Sequence, residues 1–163
     1  MQEKIHSTII HYMRLANDYY QDSMPIPTVN LTQRGKTAGS AWFFTWEIRL
    51  NPVLLNANLS AFLHQVIPHE IAHLVVSSQY TTPLYRPKPH GREWQFVMEN
   101  LFSTPAQRCH SFDISKVQGP TFPYVCACQT HRLSQIRHNK VQRKQTRYYC
   151  SLCQQELIFK DDD

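Results

Sequence analysis

No run of 18 apolar residues occurs anywhere in the chain, so nothing in it can cross a bilayer as a helix, and no membrane is expected among its partners. The first 25 residues also lack the basic, apolar, small-residue order of a secretory leader, because Glu3, Lys4, His6, His11, Arg14, Asp18 and Asp22 are scattered among apolar positions. The expected location is therefore cytoplasmic, where the five cysteines serve as thiols or metal ligands rather than disulfides. Internal repeats are absent, and the three terminal Asp residues make the only low-complexity tract. Acidic residues are missing from 125–150, which carries six Lys/Arg, whereas residues 1–124 balance ten Lys/Arg against eight acids. The basic character thus sits near the C-terminus, as a site for a polyanion or as a solvated surface.

What remains is enough for one main core with a small appendage. Apolar residues from Ile5 to Tyr20 recur at spacings of three and four, which predicts an amphipathic helix stopped by Pro25 and Pro27. Thr28–Leu31, Ala41–Phe44 and Glu47–Leu50 read as short strands of a small three-stranded antiparallel sheet, with a tight bend near Thr45 and Trp46. From Leu59 to Val75 a helical period runs across Pro68, with Asn58 available as N-cap; Pro68 demands either a kink or a helix start. A further helix is expected over Arg92–Phe102, closed by Pro105. The composition changes near Gly119 and Pro120, dividing the chain into 1–119 and 120–163.

His69-Glu70-Ile71-Ala72-His73 is an H-E-x-x-H motif. A separation of four residues puts both imidazoles on one helical face, close enough to share a tetrahedral zinc, while Glu70 can reach a zinc-bound water without ligating the metal. The apolar flanks Val66, Ile67, Leu74, Val75 and Val76 bury the helix. Water can hold the reactive position only if a third protein ligand is supplied, and His90, followed by Gly91 at the start of the next helix, is the first choice, with Glu93 as the alternative. His6, His11, His64 and His110 lack such a context and read as surface or core side chains. No Gly lies three residues beyond His73 and no His six beyond it, which excludes the compact three-histidine helix-and-turn variant. Candidates to stabilise the charged intermediate are Tyr80, Tyr85 and Arg86.

Cys126-x-Cys128 and Cys150-x-x-Cys153 resemble the two knuckles of a structural zinc ribbon, and His131 competes with Cys126 for the fourth place because Cys128-x-x-His131 has the more usual spacing. Cys109 stands apart and reads as a plain buried thiol. Between the knuckles, Arg132, Arg137, Lys140, Arg143, Lys144 and Arg147 can neutralise phosphates, with Tyr148 and Tyr149 as stacking surfaces; a charged hairpin that keeps the ribbon soluble is the alternative.

From about Thr32 to Leu157 the chain resembles the SprT family and, in its metal site, the Spartan-type proteases that degrade proteins crosslinked to DNA. The resemblance rests on residues 32–42, Ile48-Arg-Leu-Asn-Pro-Val-Leu-Leu55, Val66-Ile-Pro-His-Glu-Ile-Ala-His-Leu74, His90-Gly-Arg-Glu-Trp94, Arg137-His-Asn139 and Tyr149-Cys-Ser-Leu-Cys153. It implies an α+β, zincin-like minimal metalloprotease domain with a zinc-ribbon-like β subdomain after it. It further implies that His69, His73 and His90 ligate a catalytic zinc, that Glu70 is catalytic, and that the tail holds a second, structural zinc. The short Cys126-x-Cys128 spacing departs from the standard ribbon, and the ubiquitin- and clamp-binding extensions of the larger Spartan proteins are missing. Expected partners are a protein or peptide substrate and DNA, single-stranded or carrying bound protein. The competing expectation is a zinc-containing DNA-binding or regulatory protein without proteolysis, in which Glu70 would have no role.

Overall fold

The computed structural model describes residues 1–160, which are mixed α and β and fall into two compact units, Met1–Val117 and a second starting at Gln118. In the first unit, helix α1 (Gln2–Tyr20) buries Ile5, Ile9, Tyr12, Met13 and Ala16 as one stripe. The helix is ended by Gln21 in the left-handed region (φ 49°), before either proline is reached. The Asn17 side chain then holds the turn by bonding both the N–H and the carbonyl of Met24.

Strands β1 (Thr28–Asn30), β2 (Gly39–Trp42) and β3 (Glu47–Leu50) form a sheet of order β1-β3-β2. Ile48 of the central strand faces Ala41 in an antiparallel pair and Val29 in a parallel one, so the sheet is mixed, correcting the antiparallel expectation. The tight turn after β2 forces an antiparallel hairpin, whereas the loop 31–38 is long enough to carry the chain past β3 and seat β1 on its far side. Strand β2 also lies two residues earlier than its apolar run suggested. Phe43 and Phe44 form the turn instead, and Phe44 is fully exposed.

A short helix, α2 (Pro52–Ala57), was not evident in the pattern; Asn51 caps it by accepting from the N–H groups of Val53 and Leu54. Asn58 does not cap the next helix as expected, because its amide donates to the Leu54 carbonyl and closes α2. The chain then runs through α3 (Leu59–Ala61), a π-helical turn (Phe62–Val66) and α4 (Ile67–Tyr80). In the π turn the Ile67 N–H reaches the Phe62 carbonyl, five residues back. That extra residue is how the helix absorbs Pro68, which has no N–H and would clash with the carbonyl four residues behind it. Helix α5 (Arg92–Phe96) continues through a second π turn, Val97–Leu101. Both α1 and β2 pack on α4, which carries Ile67, Ile71, Leu74 and Val75 into the centre of the core.

In the second unit, β4 (Thr121–Val125) pairs antiparallel with β5 (Thr130–Ser134) on one side and β6 (Ile158–Phe159) on the other, around Tyr124, Leu133, Cys150 and Leu157. The stretch between the two cysteine pairs, for which a charged hairpin is the alternative reading, contains instead the helix α6 (Gln135–Gln142), which carries Arg137 and Lys140. None of its residues is buried, so it carries no apolar period by which the sequence could announce it. No helix among the described residues is long and apolar enough to cross a membrane.

Candidate metal and active site

One turn apart on α4, His69 and His73 point to the same side. The chain returns through residues 81–91 and presents His90 just ahead of α5, with His90 itself in the left-handed region (φ 56°). Gly91 follows because a Cβ there would lie 2.9 Å from the Lys88 carbonyl oxygen, to which the Gly91 N–H bonds. The result is a triangle of Nε2 atoms with edges of 3.2 Å (His69–His73), 3.1 Å (His73–His90) and 3.0 Å (His69–His90). Trp94, 1% exposed, floors the triangle, its ring centroid 4.7 Å from those of His69 and His90 and 5.7 Å from that of His73.

Burial, and then the neighbouring imidazoles, push His69 down to about 4 and His73 to about 3; burial, then the Arg108 charge, also lowers His90. The three rings are therefore neutral at physiological pH, with lone pairs available. Nδ1 of His69 lies 3.2 Å from the Gln107 carbonyl, which makes that nitrogen the N–H donor and leaves Nε2 free to ligate. Nitrogens at this spacing suit one small ion, since tetrahedral ligands at about 2.1 Å stand about 3.4 Å apart. Three neutral imidazoles facing a cleft of about 650 Å3 also leave room for a further, exchangeable ligand. The triad could hold a metal ion.

Glu70 lies on the cleft wall beside the triad and is 6% exposed. Burial carries its carboxyl from 4.5 up to about 8, against the opposing pull of the Ala41 backbone N–H. Gly39, on the adjoining strand β2, is what lets the sheet come this close: a Cβ there would sit 3.0 Å from Cγ and Oε1 of Glu70 and from Cγ1 of Val66.

Other expectations fare differently. Glu93, the alternative third ligand, is turned away: its Oε1 accepts from the Tyr85 hydroxyl (2.6 Å) and Arg92 Nε (2.7 Å), bonds that hold its carboxyl well below the usual range. Tyr85 is committed to that contact, Tyr80 shares a hydroxyl bond with Tyr20 (2.9 Å), and Arg86 is exposed; none of the three lines the cleft. Its cations are Lys36 and Arg108. Cys109 is exposed and lines the cleft, contrary to a buried thiol, because it sits in the irregular segment after α5 rather than in the core. His110 also lines it, while His6, His11 and His64 are exposed. Trp94 was missed, although its spacing of four from His90 would have brought the two together on a helix. The Gln107 carbonyl left no signal, being main chain supplied from a distant irregular segment.

In the second unit, the Sγ atoms of Cys126, Cys128, Cys150 and Cys153 lie within 4.8 Å of one another, as a four-sulfur metal site requires. Cys126 and Cys128 are 3.4 Å apart, and Cys128 and Cys150 are 3.6 Å apart. The backbone N–H groups of Cys153 and Leu152 lower the Cys150 thiol, favouring the thiolate a metal needs. His131 Nε2 stands 3.4 Å from Cys126 Sγ, a fifth donor beside the four. Among the basic residues, Arg132 is tied to Thr121, Arg147 pairs with Glu156 at 3.5 Å, and Arg137 lies over Tyr148. Lys140, Arg143 and Lys144 are exposed on and just after α6.

A sequence profile described as the SprT-like family matches residues 3–110. "Protein SprT" of Photorhabdus laumondii is 44% identical over 163 residues, covering 100% of this chain and 82% of that protein. "Protein SprT" of Pectobacterium carotovorum is 48% identical over 145 residues, 89% of this chain and 83% of its own. The Vibrio atlanticus protein of that name is 44% identical over 158 residues, 97% of this chain and 93% of its own. No solved structure matches the chain.

Proposed function

The chain belongs to the SprT-like family, and from that premise we propose that it is a zinc-dependent endopeptidase of zincin-like build, with His69, His73 and His90 as metal ligands and Glu70 as general base. One observation carries the reading. The Glu70 side chain, outside the group of three donor nitrogens, is buried beside imidazoles whose Nε2 atoms converge to 3.0–3.2 Å, and all four groups face one open cleft. A merely structural ion has no use for Glu70 or for an open cleft.

When bound, zinc would acidify its water to a pKa of about 7 and polarise the scissile carbonyl. Glu70 would take the proton of the attacking water and pass it to the leaving amine. Its carboxyl must be ionised to do so, and a dication at the triad offsets the burial that otherwise raises it. Cys126, Cys128, Cys150 and Cys153 would hold a second, structural zinc, with His131 at the Cys126 sulfur.

A DNA-associated substrate is part of the proposal, supported by the exposed Lys140, Arg143 and Lys144 and by the absence of acids from 125–150. The same cations would serve a DNA-binding protein without proteolysis, and Glu70 separates the two. Elemental analysis of wild type and a His69→Ala/His73→Ala variant, with casein cleavage measured with and without single-stranded DNA, tests the reading. Wild type is expected to hold about one more zinc than the double variant, and Glu70→Gln to keep that zinc while losing cleavage. Equal zinc in both proteins, or full cleavage by Glu70→Gln, overturns it.

A further inference from the structure

Residues 103–112 have no regular structure, yet they form one wall of the cleft through Pro105, Gln107, Arg108, Cys109 and His110. The segment is pinned at both ends. At the near end the buried Thr104 donates its N–H to the Met98 carbonyl at 2.8 Å. At the far end both ring nitrogens of His110 are engaged: Nε2 donates to the Lys36 carbonyl (2.9 Å) and Nδ1 accepts the Phe112 N–H (3.3 Å). The His110 ring also stacks on Phe112 (4.6 Å, 20°), which stacks in turn on the fully buried Phe62 (5.4 Å, 17°). Between the two pins, the Gln107 carbonyl meets Nδ1 of His69 at 3.2 Å.

We infer that this strap is a positioning device for the triad, in which His110 and Phe112 hold the Gln107 carbonyl against His69. The carbonyl does two things. It selects the tautomer that leaves the Nε2 lone pair free, and it stops the ring turning away from His73 and His90. Because the partner is main chain, no substitution at Gln107 removes it, and its placement depends on the pins. His110 has no spare nitrogen for proton transfer, so its part is positional. Phe62 opens the π turn that leads into α4, so the strap is anchored on the same helical segment whose ligand it orients. The inference rests on the metal-binding half of the proposed function and is independent of hydrolysis.

The test uses the full chain loaded with zinc, or with cobalt as a spectroscopic probe, and no substrate. His110→Ala and Phe112→Ala are expected to speed chelator-driven metal loss from the triad by about 10- to 100-fold and to shift the cobalt d–d bands. His110→Gln, whose amide can still donate to the Lys36 carbonyl, is expected to restore most of the wild-type rate. Sulfur-to-cobalt charge-transfer bands report the cysteine cluster separately and should not change. Should His110→Ala fail to fold, Phe112→Leu keeps apolar volume on Phe62 while removing the stack, and faster metal loss is again expected. Wild-type release rates in the folded variants, or a His110→Gln protein no better than His110→Ala, overturn the inference. A chain that cleaves nothing yet shows this dependence refutes the peptidase reading alone, and a triad that takes up no metal refutes both.

Discussion

Trp94 is bound to both halves of the H-E-x-x-H pair: its Nε1 donates to the His69 carbonyl at 3.3 Å, and its ring lies against that of His73 at 5.7 Å and 26°. A single indole from α5 thus fixes the helix that supplies two ligands. As the largest fully buried side chain, it should cost about 3–5 kcal/mol when replaced by Ala. Trp94→Phe keeps part of the floor but loses the donor, so a smaller stability loss with weakened metal retention is expected. Urea denaturation and zinc titration measure the two effects; unchanged zinc affinity in Trp94→Phe would show that the indole N–H has no part in the site.

Glu70 gives the metal-free chain a pH signature. Its folded-state pKa of about 8 lies above its ordinary 4.5, so the stability linked to its proton is fully present below 4.5 and is lost as the pH rises toward 8. His69 and His73 work the opposite way: their contribution is present above 6.5 and lost as the pH falls toward about 4 and about 3. Between about pH 7 and 8 the Glu70 slope runs against those of Cys150 and Cys126, whose thiols are lowered to about 5 and about 7 and so add stability as the pH rises, and comparison with Glu70→Gln isolates it. Relative to metal-free Glu70→Gln, metal-free wild type should lose stability there by up to about 1.4 kcal/mol per pH unit. Identical slopes in the two proteins count against a buried, protonated Glu70.

Gly39→Ala places a methyl group 3.0 Å from the Glu70 carboxylate and from Val66. The expected result is a fall in kcat of about 10- to 100-fold, because the base is moved by a fraction of an ångström, with the zinc content of the triad preserved. Loss of zinc in proportion to activity would mean that strand β2 supports the ligands rather than the base.

Cys109 is the thiol on the cleft wall. In metal-loaded protein the tail sulfurs are occupied, so maleimide should react first at Cys109, as peptide mass mapping can show. A bulky adduct is expected to block casein cleavage, and Cys109→Ser to be immune. Full activity of the adduct would place the substrate path away from residues 105–110.

Replacing Lys140, Arg143 and Lys144 with Gln should weaken single-stranded DNA binding and flatten its dependence on salt by about two to three ion equivalents. Fluorescence anisotropy at several salt concentrations measures both; an unchanged salt slope removes α6 from the interface.

Much of this was legible in residue order because it is local. The spacing of His69 and His73 is a helical turn wherever that helix lies, the apolar stripe of α1 is periodic, and Cys126, Cys128, Cys150 and Cys153 sit as close pairs along the chain. His90 could be chosen only by its place beside Gly91 at the start of the next helix and by the family resemblance, and the turn that delivers it depends on a left-handed residue the sequence does not mark. Pairing direction was beyond reach too, since β1 seats itself on β3 by a loop whose path is set by the core. Glu93 illustrates the limit most directly: it occupies a suitable helical turn and is of a suitable type, but Tyr85 and Arg92 claim its carboxylate in three dimensions. The Gln107 carbonyl and the indole of Trp94 reach the site only after α5 and the strap fold back over α4. Residue order determined which chemical groups the chain carries and their local spacing, while packing alone decided which of them meet, because contact between distant segments depends on how apolar faces are buried together.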